Sequence, residues 1–225
     1  MSGVLLIEDD DRIRLSLAMA LEDEGYTAHG VATAEEGIAE QRRQPAETVL
    51  VDLMLPDMDG FECIRQIRRF DDVPIVVVSA KGDTHDIVAA LEAGADDYIV
   101  KPVAVKELAA RLRALRRRAR AVTGPALDVH AFGDLEVLPL AGEVRLHSEP
   151  VLVTRTEFQL LCELADHAGQ VLSRQQLLER VWGYEIGDER LVDVHVGRLR
   201  QKIEDTPGKP QHLVTVRGLG YKLQP

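Results

Sequence analysis

The first half of the chain alternates short apolar runs with longer amphipathic ones, five times over, and this constrains the fold more than any other feature. The short runs are Val4–Ile7, Thr48–Val51, Ile75–Val78 and Tyr98–Val100, with a weaker one at Thr27–Val31. They are rich in Val, Ile and Leu and nearly continuous, the pattern of parallel strands buried on both faces. Between and after them, 12–24, 34–43, 61–69, 83–93 and 105–119 read as helices. In the first of these, Ile13, Leu17, Ala20 and Leu21 recur at helical spacing. Repeated strand–helix units predict an open parallel α/β sheet. Its ligand site is expected at the carboxyl ends of the strands, near the switch in strand order.

The last of these helices ends in Arg116, Arg117, Arg118 and Arg120, followed by Ala-Val-Thr-Gly-Pro at 121–125. Gly-Pro without an apolar period reads as a boundary. The expected organisation is a first domain over 1–119, a linker at 120–127 and a second domain over 128–225. In the second domain Phe132–Val137 and Glu143–Leu146 alternate like antiparallel strands around a turn near Ala141-Gly142. Thr154-Arg-Thr-Glu157 has the spacing of a capping box and opens a helix through Ala168, ended by Gly169. Ser173 starts a second helix to Val181, and Asp188 a third to about Glu204. Leu213–Val216, a Gly218-x-Gly220 turn and Tyr221–Leu223 read as a closing hairpin.

The net charge of -11 argues against a polyanionic partner only until it is resolved along the chain. Residues 1–120 carry 16 Lys/Arg against 23 Asp/Glu, net -7; residues 121–189 carry 4 against 12, net -8; residues 190–225 carry 7 against 3, net +4. A basic tail behind an acidic body is a local signal for an acidic partner. No uncharged apolar run approaches the roughly 18 residues of a membrane span. The start, MSGVLLIEDDD, turns acidic after four apolar residues, unlike a signal peptide. No membrane association and a cytoplasmic location are expected. Cys63 and Cys162 have neither metal-ligand nor redox spacing and read as buried free thiols.

Glu8, Asp9 and Asp10 follow the first strand, Asp52 the third, Ser79 the fourth and Lys101 the fifth. Carboxylates gathered at one sheet edge repel one another, and a hard divalent cation such as Mg²⁺ relieves that repulsion. A lysine and a hydroxyl at the same point would bind phosphoryl oxygens, and a carboxylate beside Mg²⁺ can accept a phosphoryl group.

These residues, with Asp52 in VLVDLMLPDMDG, Ser79-Ala80 after IVVV, and Gly94-Ala-Asp-Asp-Tyr98 leading to Lys101-Pro102, resemble the receiver domain of two-component response regulators over residues 3–118. The resemblance implies a flavodoxin-like (βα)5 fold and Asp52 as phosphoryl acceptor. It implies Glu8, Asp9, Asp52 and the Met54 carbonyl as Mg²⁺ ligands, with Ser79 and Lys101 holding the phosphate. Tyr98 would be the switch aromatic. Asp96, Asp97, Arg111, Arg117 and Arg118 match the face through which such receivers pair. Phosphorylation adds charge and acceptor oxygens that draw Ser79 and Lys101 inward and bias a two-state face. Three positions depart from the pattern: Ile87 where a basic residue is usual, Val103 where Phe is common, and Ser79 for Thr.

In the basic tail, Arg190–Ile203 wound as a helix puts Val192, Val196, Leu199 and Ile203 in one stripe. Arg190, Val194, Gly197, Arg198 and Gln201 lie opposite, flanked by Asp193, His195, Arg200 and Lys202. An apolar inner stripe and an Arg-rich outer face suit the major groove of DNA. Together with Leu152-x-Thr154-x-x-Glu157-Phe158, Val181-Trp182 and Val216-Arg217-Gly218-x-Gly220-Tyr221, this half is similar to the α+β winged helix-turn-helix domain of the OmpR/PhoB subfamily over residues 128–223. That likeness implies Asp193, Val194 and Arg198 near base edges, Arg190, His195 and Arg200 on phosphates, and Arg217 in the minor groove. It also implies a contact for RNA polymerase at 182–188. Gly197 departs from the basic residue common there.

The resulting expectation is a phosphorylation-switched transcription factor that takes its phosphoryl group from a sensor histidine kinase, dimerises and binds promoter DNA. It would not be a metabolic enzyme, although slow Mg²⁺-dependent self-dephosphorylation is implied. One alternative is an Asp-nucleophile phosphatase, but Asp52 has no carboxylate two residues on to act as general acid. The other is a DNA-binding protein with a relic receiver, but the acidic pair, acceptor and lysine are all present.

Overall fold

The computed structural model describes residues 2–120, 129–184 and 187–225, without the side chains of Ser2, Ala114 and residues 116–120. The chain forms two compact units, Met1–Arg113 and Ala114–Pro225. Apart from Arg120, the expected linker lies outside the described residues.

The first unit runs β1 (Ser2–Ile7), α1 (Asp11–Asp23), β2 (Tyr26–Val31), α2 (Ala34–Arg43), β3 (Thr48–Val51), α3 (Gly60–Arg68), β4 (Ile75–Ser79), α4 (Thr84–Ala93), β5 (Asp97–Val100) and α5 (Val105–Arg120). All strand pairs are parallel, in the order β2-β1-β3-β4-β5. Every residue of β3 and β4 is buried, as continuous apolar runs require of strands covered on both faces. The order reverses between β1 and β3, so their carboxyl ends open the crevice where such sheets bind ligands. Polar side chains then start the helices: Asp10, Thr33, Asp59 and Asp83 each accept from a first-turn amide of the helix that follows. Asp10 is thereby a helix cap, distinct from the two acids before it.

The second unit contains β6 (His130–Phe132), β7 (Leu135–Leu138), β8 (Glu143–Leu146) and β9 (Glu149–Pro150) in one antiparallel sheet. The single strand expected over Phe132–Val137 is two, because Gly133 turns the chain at φ 65°. Next come α6 (Arg155–Asp166), α7 (Arg174–Leu177) running on as a π-turn over Leu178–Trp182, and α8 (Arg190–Ile203). The Thr154–Glu157 capping box is formed, and Ser173 forms a second with Gln176. Asp188 accepts from the Arg190 amide at 3.0 Å, one residue before the helix cap. The hairpin of β10 (Leu213–Val216) and β11 (Gly220–Leu223) closes the unit and bridges Leu172 through Tyr221. Trp182 is fully buried in the apolar core of this unit.

Both cysteines are free, and burial pushes their thiols up to about 12. No helix among the described residues is long and apolar enough to cross a membrane.

Candidate functional site

The carboxyl ends of β1, β3, β4 and β5 deliver one pocket. Lys101 Nζ donates to Asp52 Oδ2 at 2.6 Å and to Glu8 Oε2 at 2.7 Å. One carboxylate oxygen from each of Glu8, Asp9 and Asp52 lies within 4.8 Å of the others. Glu8 and Asp52 are buried while Asp9 is exposed, so the cluster is open at Asp9. Burial raises the Glu8 carboxyl, with Asp52 and Asp9 adding to the rise against the pull of Lys101. Burial acts the same way on Asp52, but the Lys101 ammonium, the Met54 amide and the nearby Ser79 hydroxyl outweigh it and hold Asp52 below its usual range. Asp52 is therefore ionised, as a nucleophile must be.

The backbone around Asp52 is tightly fixed. Its amide donates to the Ile7 carbonyl at 2.9 Å, and Oδ1 accepts from the Met54 amide at 3.1 Å. A Cβ on Gly60 would stand 2.5 Å from the Asp52 carbonyl oxygen, so only glycine lets α3 start there. The Ser79 hydroxyl is fully buried beside this group and makes no hydrogen bond of good geometry. A buried orphan hydroxyl carries a desolvation penalty that a ligand oxygen would remove. Oxygen donors grouped around an exposed edge, with a lysine and this hydroxyl opposite, fit a hard cation and a phosphoryl group together.

Sequence reasoning missed Arg14. From α1 its guanidinium donates to the carbonyls of Glu8 at 2.6 Å and Asp9 at 3.3 Å and contacts Asp11. It crosses β2 at Gly30, where a Cβ would meet its Cγ at 2.7 Å. Arg14 thus holds the acidic loop, through a contact with main-chain oxygens that no side-chain motif announces.

In the second unit, α8 presents Asp193, Gly197 and Gln201 as exposed residues and Arg190 and Val194 as half-buried ones. Asp193 Oδ1 accepts from Arg174 Nε and from the Tyr221 hydroxyl, each at 2.6 Å, tying α7, α8 and β11 together. Arg217 is exposed at the turn of the β10–β11 hairpin. On the inner side, Glu157 is fully buried and takes Arg198 at 2.8 Å and Lys202 at 2.6 Å.

Residues 4–113 match the family described as response regulator receiver domain, and residues 148–223 that described as transcriptional regulatory protein, C terminal. The chain is 46% identical to the transcriptional regulatory protein AfsQ1 of Streptomyces coelicolor, over 226 residues covering 100% of this chain and 99% of the relative. It is 40% identical to the KDP operon transcriptional regulatory protein KdpE of Escherichia coli, over 99% of each chain. Among solved structures it is similar to DrrB, a Thermotoga maritima OmpR/PhoB homolog, with 29% identity, TM-score 0.53 and full coverage of both chains. A RitR mutant gives 26% identity and TM-score 0.80 over 100% of this chain and 99% of that one. The chain belongs to the OmpR/PhoB family of response regulators. It is a two-component response regulator with a receiver domain followed by a winged-helix domain that binds DNA and regulates transcription.

Several side chains of this response regulator stand elsewhere than its sequence suggested. His195, expected on phosphates, is fully buried: Nδ1 lies 2.9 Å from the Leu191 carbonyl and the ring packs edge-on to Trp182 at 5.0 Å. Trp182 belongs to the core, which removes it from the expected polymerase contact. Arg200 turns to the wing, donating to the Leu213 carbonyl at 2.8 and 2.6 Å and to Thr215 Oγ1 at 2.8 Å. Arg198 points inward to Glu157, so reaching a base edge would require its release.

In the receiver, Asp96 is buried rather than displayed on a pairing face, because it accepts from Arg68 at 2.6 Å and from the Ile75 amide at 2.8 Å. Asp97 is also buried and pairs with Arg111 at 3.0 Å, while Arg111 reaches Glu107 at 2.7 Å. The side chains of Arg117 and Arg118 lie outside the described residues. Tyr98 donates its hydroxyl to the Lys81 carbonyl at 2.6 Å, two residues beyond Ser79, and burial raises its pKa to about 12.

Proposed function

We propose that Asp52 accepts the phosphoryl group and that Glu8, Asp9, Asp52 and the Met54 carbonyl hold Mg²⁺. The observation that carries this reading is the buried Asp52 gripped by Lys101 beside the buried Ser79 hydroxyl, which makes no hydrogen bond of good geometry. An Asp52 carboxylate oxygen forms the new P–O bond as the P–N bond of a sensor kinase phosphohistidine breaks, the electron pair leaving on nitrogen. Lys101 neutralises charge on the phosphoryl oxygens and Ser79 donates to one of them. Bound Mg²⁺ supplies further positive charge there.

Once Ser79 moves toward the phosphate, the Lys81 carbonyl that anchors Tyr98 moves with the same loop, which couples the pocket to the side chain of β5. Two receivers then pair through the face of α4, β5 and α5 that carries Arg111. Pairing sets two winged helices on tandem half-sites of promoter DNA and raises affinity through effective concentration. Arg190, Asp193 and Val194 of α8 face the major groove, with Arg217 at the minor groove. RNA polymerase meets the segment 183–188, of which Glu185 and Ile186 lie outside the described residues. The protein acts in the cytoplasm, and water slowly removes the phosphoryl group from Asp52.

The test is intact mass after incubation with Mg²⁺ and a small-molecule phosphodonor, for wild type and Asp52→Asn, with oligomeric state read on the same samples. One phosphoryl group on wild type, none on Asp52→Asn, and a shift to dimer are expected. Equal modification of both proteins would overturn Asp52 as acceptor. DNA affinity unaffected by phosphodonor would overturn the switch.

A further inference from the structure

Four side chains from four connecting segments converge on one surface of the DNA-binding domain. Asp134 lies between β6 and β7, His147 in the turn between β8 and β9, Asp205 just after α8 and His212 just before β10. His147 Nδ1 is 2.8 Å from Asp134 Oδ2, and its Nε2 is 3.1 Å from Asp205 Oδ1. His212 Nε2 is 3.0 Å from the other oxygen of Asp134.

The framework around them is built. His147 and Ser148 both have left-handed backbones, at φ 52° and 69°, a conformation that ordinarily selects Gly or Asn. The His147 amide is fixed to the Asp134 carbonyl at 2.9 Å. Buried Glu204 accepts from the amides of Gln211, His212 and Leu213, which pins the loop that carries Asp205 and His212.

His147 Nε2 is in hydrogen-bond geometry with Asp205, and Nδ1 and His212 Nε2 face the two oxygens of Asp134 at ion-pair distance, so two carboxylates and two imidazoles meet at one point. A divalent ion can draw the same groups together. One ligand atom from each of Asp134, His147 and Asp205 lies within 4.8 Å of the others. Zinc bonds of about 2.0–2.2 Å ask these groups to close by roughly 1 Å, which half-exposed side chains can do. Mixed imidazole and carboxylate donors favour Zn²⁺-class ions over Mg²⁺ or Ca²⁺.

We propose that Asp134, His147 and Asp205, with His212 as fourth ligand or as the hydrogen-bond partner of Asp134, form a site for a divalent transition metal of the zinc class. Filled, it joins two turns of the β6–β9 sheet to the segment that leads into the wing.

Full-length protein in excess Mg²⁺ is titrated with Co²⁺, read by visible absorption, and then with competing Zn²⁺. Wild type should bind one Co²⁺ at this site, displaced by Zn²⁺. His147→Asn keeps a residue suited to the left-handed turn and should weaken binding by at least about tenfold; Asp205→Asn should act in the same direction. His85→Gln, in the unrelated Asp83-His85-Asp86 group at the start of α4, should bind as wild type does. No Co²⁺ bound at roughly 100 times the protein concentration, or equal binding by wild type and His147→Asn, would overturn the site.

Discussion

Asp52 and Glu157 are both buried carboxylates held below their usual pKa by basic neighbours, yet they occupy opposite kinds of site. Around Asp52 the acids outnumber the base: Glu8 and Asp52 share Lys101, Asp9 beside them opens to solvent, and the Ser79 hydroxyl makes no hydrogen bond of good geometry. Around Glu157 the cations outnumber the acid, and all three partners serve the fold. Arg198 and Lys202 come from α8, while the Thr154 amide belongs to the capping box of α6. The first arrangement is short of positive charge and of hydrogen bonds, which is what a cation and a phosphoryl group would supply. In the second the carboxylate is countered by two cations and locks one helix to another, although Glu157 Oε1, like the Ser79 hydroxyl, makes no hydrogen bond of good geometry. Burial with a shifted pKa and an unfilled hydrogen bond mark both, so the balance of charge, not the shift, separates a site for chemistry from a scaffold.

The largest effect should come from breaking the arrangement whose carboxylate is fully countered. Glu157→Gln leaves two cations on α8 without their buried counter-charge and should cost about 3 kcal/mol, as broken buried pairs do. The chain has one tryptophan, Trp182, inside the DNA-binding domain, so urea unfolding followed by its fluorescence reads this domain alone. Asp52→Asn should shift the receiver's calorimetric transition by less than about 1 kcal/mol, because Lys101 keeps Glu8 and one repulsion disappears. Equal losses in the two variants would erase the distinction.

The same contrast has a pH form. Desolvation would raise Glu157, but Arg198 and Lys202 outweigh it and its folded-state pKa is lowered. Its stabilisation is therefore present above the ordinary Glu range and is lost as pH falls into and below that range. In the receiver, lowered Asp52 acts in the same direction, but Glu8 is raised, so its protonation favours the folded state as pH falls. The Trp182 transition should weaken more than the receiver transition between about pH 6 and pH 4. A receiver that loses more would reverse the assignment.

Next in size is the cation effect. Mg²⁺ at ten times its dissociation constant should stabilise the receiver by about 1.4 kcal/mol and leave the Trp182 transition where it was. Asp9→Asn, at the exposed edge of the cluster, should remove most of that gain. A shift that survives Asp9→Asn places the ion elsewhere.

The two domains were also unequally legible in the sequence. Receiver strands are continuous apolar runs and its site residues sit where those runs stop, so Glu8, Asp52, Ser79 and Lys101 could be assembled from chain position alone. Arg14 escaped because it acts on main-chain carbonyls. In the DNA-binding domain a helical wheel centred on Val192, Val196 and Leu199 gave the buried face of α8 too narrow an arc. Packing of Trp182 widens it to include His195. Arg198 and Arg200 read as outward cations because Glu157, the Leu213 carbonyl and Thr215 are distant in sequence or neutral. Gly133 splits Phe132–Val137 through a turn that an alternating pattern conceals.

The smallest effect tests a position on α8 where sequence and structure agree on exposure. A Cβ on Gly197 would meet nothing within 4 Å, so Gly197→Ala should stabilise the helix by about 1 kcal/mol. If glycine here only lacks the basic side chain common in relatives, Ala should leave DNA affinity within about twofold. Gly197→Arg should then steepen the slope of log affinity against log salt by about 0.9, one further phosphate neutralised. If instead the helix backbone lies against the DNA at this point, the added methyl must push it away, and Ala alone should lower affinity by roughly tenfold, about 1.4 kcal/mol. Because inward-turned Arg198 and Arg200 leave α8 few outward cations, we expect the first outcome: a helix whose face at Gly197 has room for one more.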